Sequence, residues 1–578
     1  MSDVLLSVDL LEFQLFDWLQ IDRERDIDRE TSLAMINMAE RLAEDAFLTH
    51  YRDADVNEPH MTSEGAKILA AAKDALRQYA DMGLFGASFP EDVGGLGLPA
   101  ALASAIHAIF ASANVSTAGY AMLTAANARL ICEFGTPRQI EHFALPEIEG
   151  HWFGTMCLSE PQAGSSLGDI ATRAQRDGED EFGARYRLTG NKMWISGGDQ
   201  DASENIVHLV LAKAAQQGAP LPEGTRGISL FIVPKILPDG KRNDIALAGL
   251  NHKLGNRGTT NCLLNFGENG GAIGWRVGEE GDGLAQMFKM MNEARISVGM
   301  GAAVLGYRAF RHAAAYAKER AQGRKLGSNA ASPVPIIEHA DVRRMLLQQR
   351  SYSEVAIAIC LYCSHLQEQK TNDSELLLGI LTPIAKSWPS EFCLIGNDLA
   401  IQVHGGYGYT RDFDVEQLWR DNRLNPIHEG TAGIQALDLL GRKILRSDGK
   451  PLAALINKIQ ETTDRAAQIA SLESYAISIR AYWADVEATI AGLNTVGGAN
   501  AYNDATMFLR AFGHGVAAWM WLDLALSADR VGNAERITNI TYLLRYFVES
   551  ELPIALSWLS IVDRHLETAA EAPDSVFA

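Results

Sequence analysis

One carboxylate in the sequence stands out because of the residues that surround it. Glu429 lies in the stretch Ile427–Gln435, beside a glycine and two positions before Thr431, the predicted N-cap of a helix. The free N–H groups at a helix N-terminus stabilise negative charge. A carboxylate there can act as a general base beside a terminus that binds an anion or a carbonyl oxygen. The ordinary interpretation, an acidic residue near an N-cap, stays open at this point.

Three further stretches could hold a flat or phosphate-bearing ligand. Met156–Ser166 runs from an apolar strand into a Pro/Gly turn that exposes backbone N–H groups. Asn191–Gly198 places a tryptophan, whose ring can stack on a ligand, before a serine and two glycines. Ile401–Thr410 carries glycines that can present N–H groups to a phosphate. Taken singly, each is also typical of an ordinary turn or of core packing, and none is the G-x-G-x-x-G of a Rossmann domain.

We expect no metal site. Cys360 and Cys363 form C-x-x-C with His365 nearby, but they lie in a continuous helical pattern without a second C-x-x-C at zinc-ribbon spacing. His404 and His428 lie in glycine-bearing loops with no acidic partner at ligand spacing.

The elements that must position these stretches change in type along the chain. Helical periodicity over residues 30–150 gives way to strand-like runs over residues 155–270, then returns over 283–445 and 450–565. Residues 4–19 form a predicted amphipathic helix, which we expect to dock on the protein's own core or on a sister subunit. The strand-like runs are Tyr186–Gly190, Ile206–Val210 and Ile228–Pro234, and an aromatic-rich core run is Phe508–Trp521.

Composition and charge exclude several classes of protein. Of the 578 residues, 47% are apolar and 21% charged, which excludes wholesale disorder. The net charge of −21 disfavours binding to nucleic acid or to an anionic membrane. The longest apolar run, Val355–Cys363, is shorter than the ~18–20 residues of a membrane span, and we expect no secretory signal. Six scattered cysteines are typical of a reduced, cytoplasmic protein.

The four stretches together, in this order and in this helix–strand–helix frame, resemble the acyl-CoA dehydrogenase flavoprotein family. The resemblance covers residues 40–445, with signatures at Met156–Ser165, Lys192–Gly198 and Trp419–Ile434. The additional N-terminal helix and C-terminal helices are similar to the larger subgroup that includes 3-methylthiopropanoyl-CoA dehydrogenases.

The resemblance implies an α+β multidomain fold. We expect a helical N-terminal domain, a middle β-barrel or sandwich domain, a C-terminal four-helix bundle and an additional C-terminal helical domain. The predicted boundaries are 1–30 for the N-terminal amphipathic helix, 31–154 for the N-terminal domain, 155–275 for the β domain, 276–446 for the bundle and 447–578 for the additional helices.

The resemblance also implies that FAD is the cofactor. The residues that would line the flavin ring are Met156, Leu158, Ser159, Gly164, Ser165, Trp194 and Ser196. Arg320 and Gln322 would reach the FAD of a neighbouring subunit. The other residues near the cofactor would be His339, Gln402, Gly405, Gly406, Thr431 and Gly433.

The reaction implied by the resemblance is α,β-dehydrogenation of an acyl-CoA thioester to a 2-enoyl-CoA. Glu429 matches the base that takes the α-proton, while hydride passes from the β-carbon to flavin N5. Short, methylthio-bearing, branched and medium acyl chains, among them 3-methylthiopropanoyl-CoA, all fit. The substrate-binding residues would be Ser165, Asn292, Arg295 and Gly430.

Several residues depart from the family pattern, and each puts one contact in question. Serine replaces the usual threonine at two positions, and smaller or uncharged residues replace an aspartate or a glutamine elsewhere. The serines are Ser159 and Ser196, and the other departures are Ser166, Asn292, Ala340 and Gly433.

The expected partners are an acyl-CoA substrate, an electron-transfer flavoprotein as electron acceptor, and a second copy of the chain. A homodimer is the favoured assembly, with a tetramer as the alternative. An acyl-CoA oxidase, or another flavin enzyme on the same fold, is the alternative function. A non-catalytic relative that binds nucleic acid is disfavoured by the negative charge and by the presence of Glu429.

Overall fold

The structure, a computed structural model, describes residues 4–24, 27–215, 222–325, 327 and 332–578. It confirms the expected fold class: helices come first, a β domain follows, and two further helical blocks complete the chain. The chain forms two compact units. Unit 1 comprises Met1–Met35, Ala100–Ala108 and Arg295–Ala578, and unit 2 comprises Ile36–Pro99 and Ile109–Ala294. The five-part domain division stays a prediction.

The described residues form eighteen α-helices and ten β-strands. The helices are α1 Val8–Glu12, α2 Ile21–Glu24, α3 Arg29–Leu42, α4 Tyr51–Val56, α5 Ala70–Asp81, α6 Ala100–Phe134, α7 Pro137–Gln139, α8 Leu145–Ile148, α9 Gly283–Glu319, α10 Ala340–Gln369, α11 Asn372–His404, α12 Val415–Asn422, α13 Ala432–Leu437, α14 Lys450–Ala466, α15 Glu473–Val496, α16 Ala505–Val531, α17 Ala534–Tyr546 and α18 Leu552–Val562. The strands are β1 His60–Thr62, β2 Gly65–Lys67, β3 Trp152–Cys157, β4 Arg173–Asp180, β5 Gly183–Ser196, β6 Asn205–Ala215, β7 Ile228–Pro234, β8 Ile245–Leu250, β9 Asn261–Phe266 and β10 Ala272–Val277.

Short helical segments of other types extend or connect these helices. The π-helical segments are Phe13–Trp18, Ala43–Phe47, Ile140–Ala144, Asp438–Leu445 and Phe547–Glu551. The 3-10 segments are Leu48–His50, Leu84–Gly86, Glu91–Val93, Leu167–Asp169, Ile336–Glu338, Gly405–Tyr409, Asn500–Tyr502 and Asp574–Phe577.

The β domain in unit 2 is a barrel, because its strand pairing closes on itself. The order runs β10-β7-β6-β4-β5, and β10 also pairs with β5. The long strand β5 then continues past the barrel and pairs with β9, which pairs with β8, while β3 lies parallel to β6. The three strand-like runs in the sequence lie within β5, β6 and β7.

Side chains of β6 alternate between two apolar clusters, as expected for a strand that is buried on both faces. Val207, Leu209 and Leu211 belong to one cluster, and Val210 and Ala212 belong to the other. The first cluster also contains residues of α6 and α8, and the second also contains residues of β5 and β9. Met156 of β3 and Lys192 and Trp194 of β5 therefore lie on a rigid frame.

Helix α6 is the one helix in the described ranges whose length and apolar composition would suit a membrane span. Polar residues interrupt its sequence, so it contains no long continuous apolar run. Of its most apolar 18-residue window, 72% is buried inside the protein, which is typical of a core helix.

The N-terminal segment packs within unit 1, on helices of its own chain. Trp18 Nε1 donates a hydrogen bond to Asp523 Oδ2 at 2.7 Å, and Gln14 Nε2 donates to the Glu354 carbonyl at 3.2 Å. The predicted regular helix over residues 4–19 is corrected in one respect. Helix α1 begins only at Val8 and continues as a π-helix, whose wider turn allows five of its six residues to be buried.

A buried carboxylate joins the C-terminal helices to α10, also within unit 1. Glu551 is 2% exposed, and it accepts hydrogen bonds from the hydroxyls of Tyr352 at 2.5 Å and Tyr546 at 2.9 Å. Because a buried hydroxyl without a partner is costly, these bonds link the two helical blocks more specifically than apolar packing alone.

We predict that Glu551→Ala lowers stability by about 2 kcal/mol, because it leaves the buried hydroxyl of Tyr352 without its acceptor. The midpoint of urea unfolding, followed by tryptophan fluorescence, measures the change. The control is Glu549→Ala, which removes an exposed ion pair with Arg545 and should leave the midpoint unchanged. Equal midpoints for all three proteins would contradict the assigned role of Glu551.

Candidate active site

Glu429 and Gly430 form a tight turn near the end of the loop 423–431, which connects α12 to α13. Glu429 has φ +52° and Gly430 has φ +92°, so both residues are in the left-handed region. That conformation costs a residue with a side chain about 1 kcal/mol, and it persists only where the surroundings hold it. The buried amide of Gln435 donates from Nε2 to the Glu429 carbonyl oxygen at 2.9 Å. The backbone of the candidate base is therefore fixed by a side chain that the sequence analysis did not single out.

Two buried cations face the half-buried carboxyl of Glu429. Burial raises the pKa of Glu429, and the charges of Arg295 and Lys386 lower it without cancelling the effect. Arg295 is itself paired, since its Nη1 lies 3.1 Å from Asp438 Oδ2 and both side chains are 5% exposed. The result is a carboxylate that is more basic than a surface glutamate.

Lys386 holds the other half of the turn. Its Nζ donates to the Gly430 carbonyl oxygen at 2.6 Å, and the side chain is fully buried in α11. Burial lowers the pKa of Lys386 to about 8, partly offset by the charge of Glu429.

The neighbouring histidine does not compete as a base. Burial, together with the charge of Lys386, lowers the pKa of His428 to about 3, so the ring is neutral near pH 7. Its Nε2 lies 3.1 Å from Asn425 Oδ1, an acceptor, and therefore carries the ring proton. Thr431 occupies the predicted N-cap position of α13, but its hydroxyl makes no capping hydrogen bond.

A second group of predicted residues lines a cavity of about 460 Å³ in unit 1. Arg320 and Gln322 approach it from the end of α9, and Gly405 and Gly406 approach it from the end of α11. The guanidinium of Arg320 lies 5.9 Å from the ring centre of Tyr407. Gln402 lies on the last turn of α11, where its carbonyl accepts from the Gly405 N–H. The other lining residues are Tyr316, Ile336, Val403, His404 and Thr410.

A short ribbon presents Arg320 and Gln322 to this cavity. The Gln322 N–H donates to Val334 O at 3.0 Å, and the Ile336 N–H donates to Arg320 O at 2.8 Å. His339 Nε2 lies 2.8 Å from the Gln322 carbonyl oxygen and so contacts the ribbon itself. Direct contact between His339 and a cofactor stays a prediction.

The predicted flavin-ring residues are brought together in unit 2. The loop after β3 is tied to β5, because Lys192 Nζ donates to Leu158 O at 2.9 Å and the Met193 N–H donates to Ser159 O at 3.0 Å. Next to these bonds Trp194 lies in a bulge of the β5–β9 pairing with φ +66°, and 59% of its surface is exposed. The backbone at Trp194 is strained and the indole ring is exposed. The ring can therefore serve as a platform on which a flat ligand stacks.

The remaining residues of this group surround that platform. Met156, Leu158, Ser159 and Ser196 are half-buried, and Ser165 is exposed. The Ser196 hydroxyl accepts from Asn261 Nδ2 at 3.2 Å. A Cβ placed on Gly164 would meet no atom of the described residues within 4 Å.

A buried ion pair stabilises the platform, and sequence reasoning missed it. Glu160 Oε1 lies 2.9 Å from Lys192 Nζ, with both side chains nearly inaccessible to solvent. Glu160 also accepts hydrogen bonds from the backbone of Ala171 and from Thr172. Burial alone would raise the pKa of Glu160, but Lys192 and these hydrogen bonds hold it at about 2. The signal available in the sequence was one charged residue in each ligand-binding stretch, Glu160 in the first and Lys192 in the second.

The predicted substrate residues are distributed over α9, the Glu429 turn and, for Ser165, the loop after β3. Arg295 lies on α9 and is engaged with Asp438, so it supports the turn from within unit 1. Asn292 lies on the same helix and is half-buried. Contacts with a substrate stay predictions for Asn292, Arg295, Ser165 and Gly430. Gly433, a predicted cofactor residue, lies in the first turn of α13.

Four family models match consecutive parts of the chain. They are the acyl-CoA dehydrogenase N-terminal domain at residues 29–150, the middle domain at 155–268, the C-terminal domain at 281–445, and the acetyl-CoA dehydrogenase C-terminal-like domain at 455–573.

Two characterised relatives extend this match. The chain is 38% identical to 3-methylmercaptopropionyl-CoA dehydrogenase of Ruegeria pomeroyi over 68% of its own length and 66% of the relative's, just under two thirds. It is 32% identical to the broad-specificity linear acyl-CoA dehydrogenase FadE5 of Mycobacterium tuberculosis over 83% of its own length and 82% of that relative's.

Solved structures share the fold over almost the whole chain. Caenorhabditis elegans ACDH-11, in complex with C11-CoA, matches with a TM-score of 0.81 at 17% identity and covers 98% of this chain and 96% of its own. A Bacillus anthracis acyl-CoA dehydrogenase complexed with FAD matches with a TM-score of 0.75 at 20% identity, over 96% and 90%. The fold and the site thus define a flavoprotein oxidoreductase. The chain belongs to the acyl-CoA dehydrogenase family.

We predict that Lys192→Met lowers stability by about 3 kcal/mol or more, because Glu160 then stays buried without its cation. Above pH 4.5 the paired Glu160 contributes stability that is lost as pH falls toward 2, and the variant should lose this dependence. Urea midpoints at several pH values measure both effects. A double variant, Glu160→Gln with Lys192→Met, should recover part of the loss.

The matched control for this prediction is Lys241→Met, which breaks the exposed pair with Asp239. It should leave the urea midpoint unchanged. An equal loss in Lys241→Met and Lys192→Met would show that burial of the pair is not what matters.

We predict that Gly406→Val weakens FAD binding about tenfold or more, because the new side chain enters space that no described protein atom within 4 Å occupies. Fluorescence titration of the apoprotein with FAD measures the affinity. Gly249→Val, at another open position, in β8, is the control and should bind FAD as the wild type does. Unchanged affinity in Gly406→Val would remove this cavity from the cofactor site.

Proposed function

We propose that the protein is an FAD-dependent dehydrogenase that oxidises an acyl-CoA thioester to its 2-enoyl-CoA, with Glu429 as the base. The observation that carries the proposal is the Glu429 turn. A half-buried carboxylate with a raised pKa stands on a strained turn that buried side chains hold through both of its carbonyl groups. Such a group is suited to proton abstraction from carbon.

The residues present fit FAD. Open space at Gly164 and Gly406 admits a ligand close to the backbone, the uncovered Trp194 ring suits an isoalloxazine, and Arg320 supplies positive charge beside a cavity large enough for a nucleotide. Bound FAD supplies a hydride acceptor. We assign the flavin ring to the unit 2 residues around Trp194. We assign the unit 1 cavity around Gly406 to the nucleotide portion of a partner subunit's FAD.

Glu429 accepts the α-proton of the thioester in this proposal. The new O–H bond forms on its carboxylate as the α C–H bond breaks, and its backbone N–H donates to the thioester oxygen, where negative charge develops. Exclusion of water by the acyl chain increases the basicity further. His428 stays neutral and takes no part in the proton transfer.

We propose a short acyl-CoA as substrate, including 3-methylthiopropanoyl-CoA, and an electron-transfer flavoprotein as electron acceptor. The 38% identity to the Ruegeria pomeroyi enzyme supports the methylthio substrate. A panel of butanoyl-, isobutanoyl-, octanoyl- and 3-methylthiopropanoyl-CoA, assayed with a dye acceptor, tests the substrate. Oxygen consumption without a dye or an acceptor protein would favour the oxidase alternative.

A homodimer in the cytoplasm completes the proposal. The support for the dimer is the cavity that Arg320 and Gln322 line together with Gly405 and Gly406. In the proposed dimer, this group of residues on one chain binds the cofactor of its partner. The cysteines among the described residues are all free, and all but Cys132 are buried, as expected in a reducing compartment. Sedimentation of the FAD-loaded protein tests the assembly.

We predict that Glu429→Gln keeps bound FAD but loses reduction of that FAD by the best acyl-CoA of the panel by a factor of about 10⁴ or more, because an amide cannot accept the proton. Anaerobic stopped-flow absorbance measures the bleaching. Glu375→Gln, exposed near the start of α11, is the control and should bleach at the wild-type rate. Full bleaching of Glu429→Gln would overturn the assignment of the base.

A further inference from the structure

Lys386 is a fully buried cation with no carboxylate partner of its own. It forms no ion pair with any residue that the structure describes, and its Nζ donates instead to the Gly430 carbonyl at 2.6 Å. Burying an ammonium group without an ion pair is costly, and such perturbed groups cluster at functional sites. In α11 the lysine is flanked at three positions on either side by Pro383 and Pro389, within a wholly buried stretch.

The contact of Lys386 is with the residue that follows the base. Gly430 and Glu429 are consecutive left-handed residues, and their two carbonyls are held by different side chains, Gly430 by Lys386 and Glu429 by Gln435. A neutral amide would suffice to hold a carbonyl. A buried positive charge also acts on the carboxylate of Glu429, one residue away.

We propose that Lys386 is a positioning residue for proton abstraction: it fixes the Glu429–Gly430 turn and, by its charge, keeps Glu429 ionised when the substrate excludes water. The inference rests on the proposed function. Below its pKa of about 8 the lysine keeps its three protons during the reaction, and the α-proton moves only to Glu429. Lys386 thereby opposes the desolvation that makes Glu429 basic, so that the base remains both strong and charged.

Charged groups on neighbouring elements also face Glu429 and Lys386. Arg295 of α9 also acts on Glu429, but it is paired at 3.1 Å with Asp438, a carboxylate that also pairs with the exposed Arg442 at 2.9 Å. Glu391 of α11 acts on Lys386, but Arg510 neutralises it at 2.5 Å. His428 is uncharged near neutral pH. Lys386 is thus the unpaired charge among the groups that act on Glu429 within the described residues.

The test is the pH dependence of kcat/KM for Lys386→Met and Lys386→Arg. Glu429 works as the carboxylate, so its pKa sets the acid limb. Without the positive charge that pKa rises, and we expect the acid limb of Lys386→Met to move up by about one pH unit, with the deficit greater at pH 6 than at pH 9. Lys386→Arg keeps the charge and should keep the limb. A rate loss equal at all pH values would show a purely structural role and overturn the proposal.

Lys450→Met, at an exposed lysine paired with Asp448, is the matched control and should leave the profile unchanged. A second readout needs no turnover. Infrared titration of the Glu429 carboxyl, recognised by its loss in Glu429→Gln, should show the same upward shift in Lys386→Met. If the Glu429 pKa shifts but no acyl-CoA is oxidised, the effect of Lys386 on Glu429 stands and the proposed function is wrong. If the Glu429 pKa does not shift, the proposed effect of Lys386 on Glu429 is wrong.

Discussion

The site depends on a balance between burial and charge at one carboxylate. A glutamate in water is too weak a base to take a proton from carbon, and a glutamate in a dry pocket tends to be protonated before the reaction begins. The chain resolves this conflict by placing Glu429 among Arg295 and Lys386, which favour ionisation, while burial raises its basicity. Helices α9, α11 and α13, with the π segment after α13, bring these groups together.

The two units use the same device to hold their functional loops. In unit 1 the buried ammonium group of Lys386 binds the carbonyl of Gly430, and in unit 2 that of Lys192 binds the carbonyl of Leu158. A lysine can reach a loop from a neighbouring rigid element, and its long side chain leaves the loop backbone free to face a ligand. The difference lies in the countercharge. Lys192 is paired with Glu160 and is structural, whereas Lys386 lacks an ion pair within the described chain and acts on the base.

Much of the fold and part of the site follow from the sequence. The barrel strands can be recognised in the sequence as β-branched runs between turn residues. Glu429, Trp194 and the glycines can be recognised because the residues around them form unusual local patterns. Lys386 and Gln435 could not be found in this way, since a polar residue in a helical pattern usually faces solvent and only tertiary contacts reveal burial. The N-terminal helix was predicted, but its π segment was not, because that segment is stabilised by α10 and α16, which lie far away in sequence.

The hydrogen bond between Trp18 and Asp523 joins residues that are 505 positions apart. A ribosome adds about 5–20 residues per second, so Trp18 emerges roughly 25–100 s before Asp523 is made. During that interval Leu15 and Phe16, which are buried in the finished fold, have no α16 to cover them. The segment around Trp18 is therefore covered long after it is synthesised, and until then its apolar side chains are available for non-native contacts.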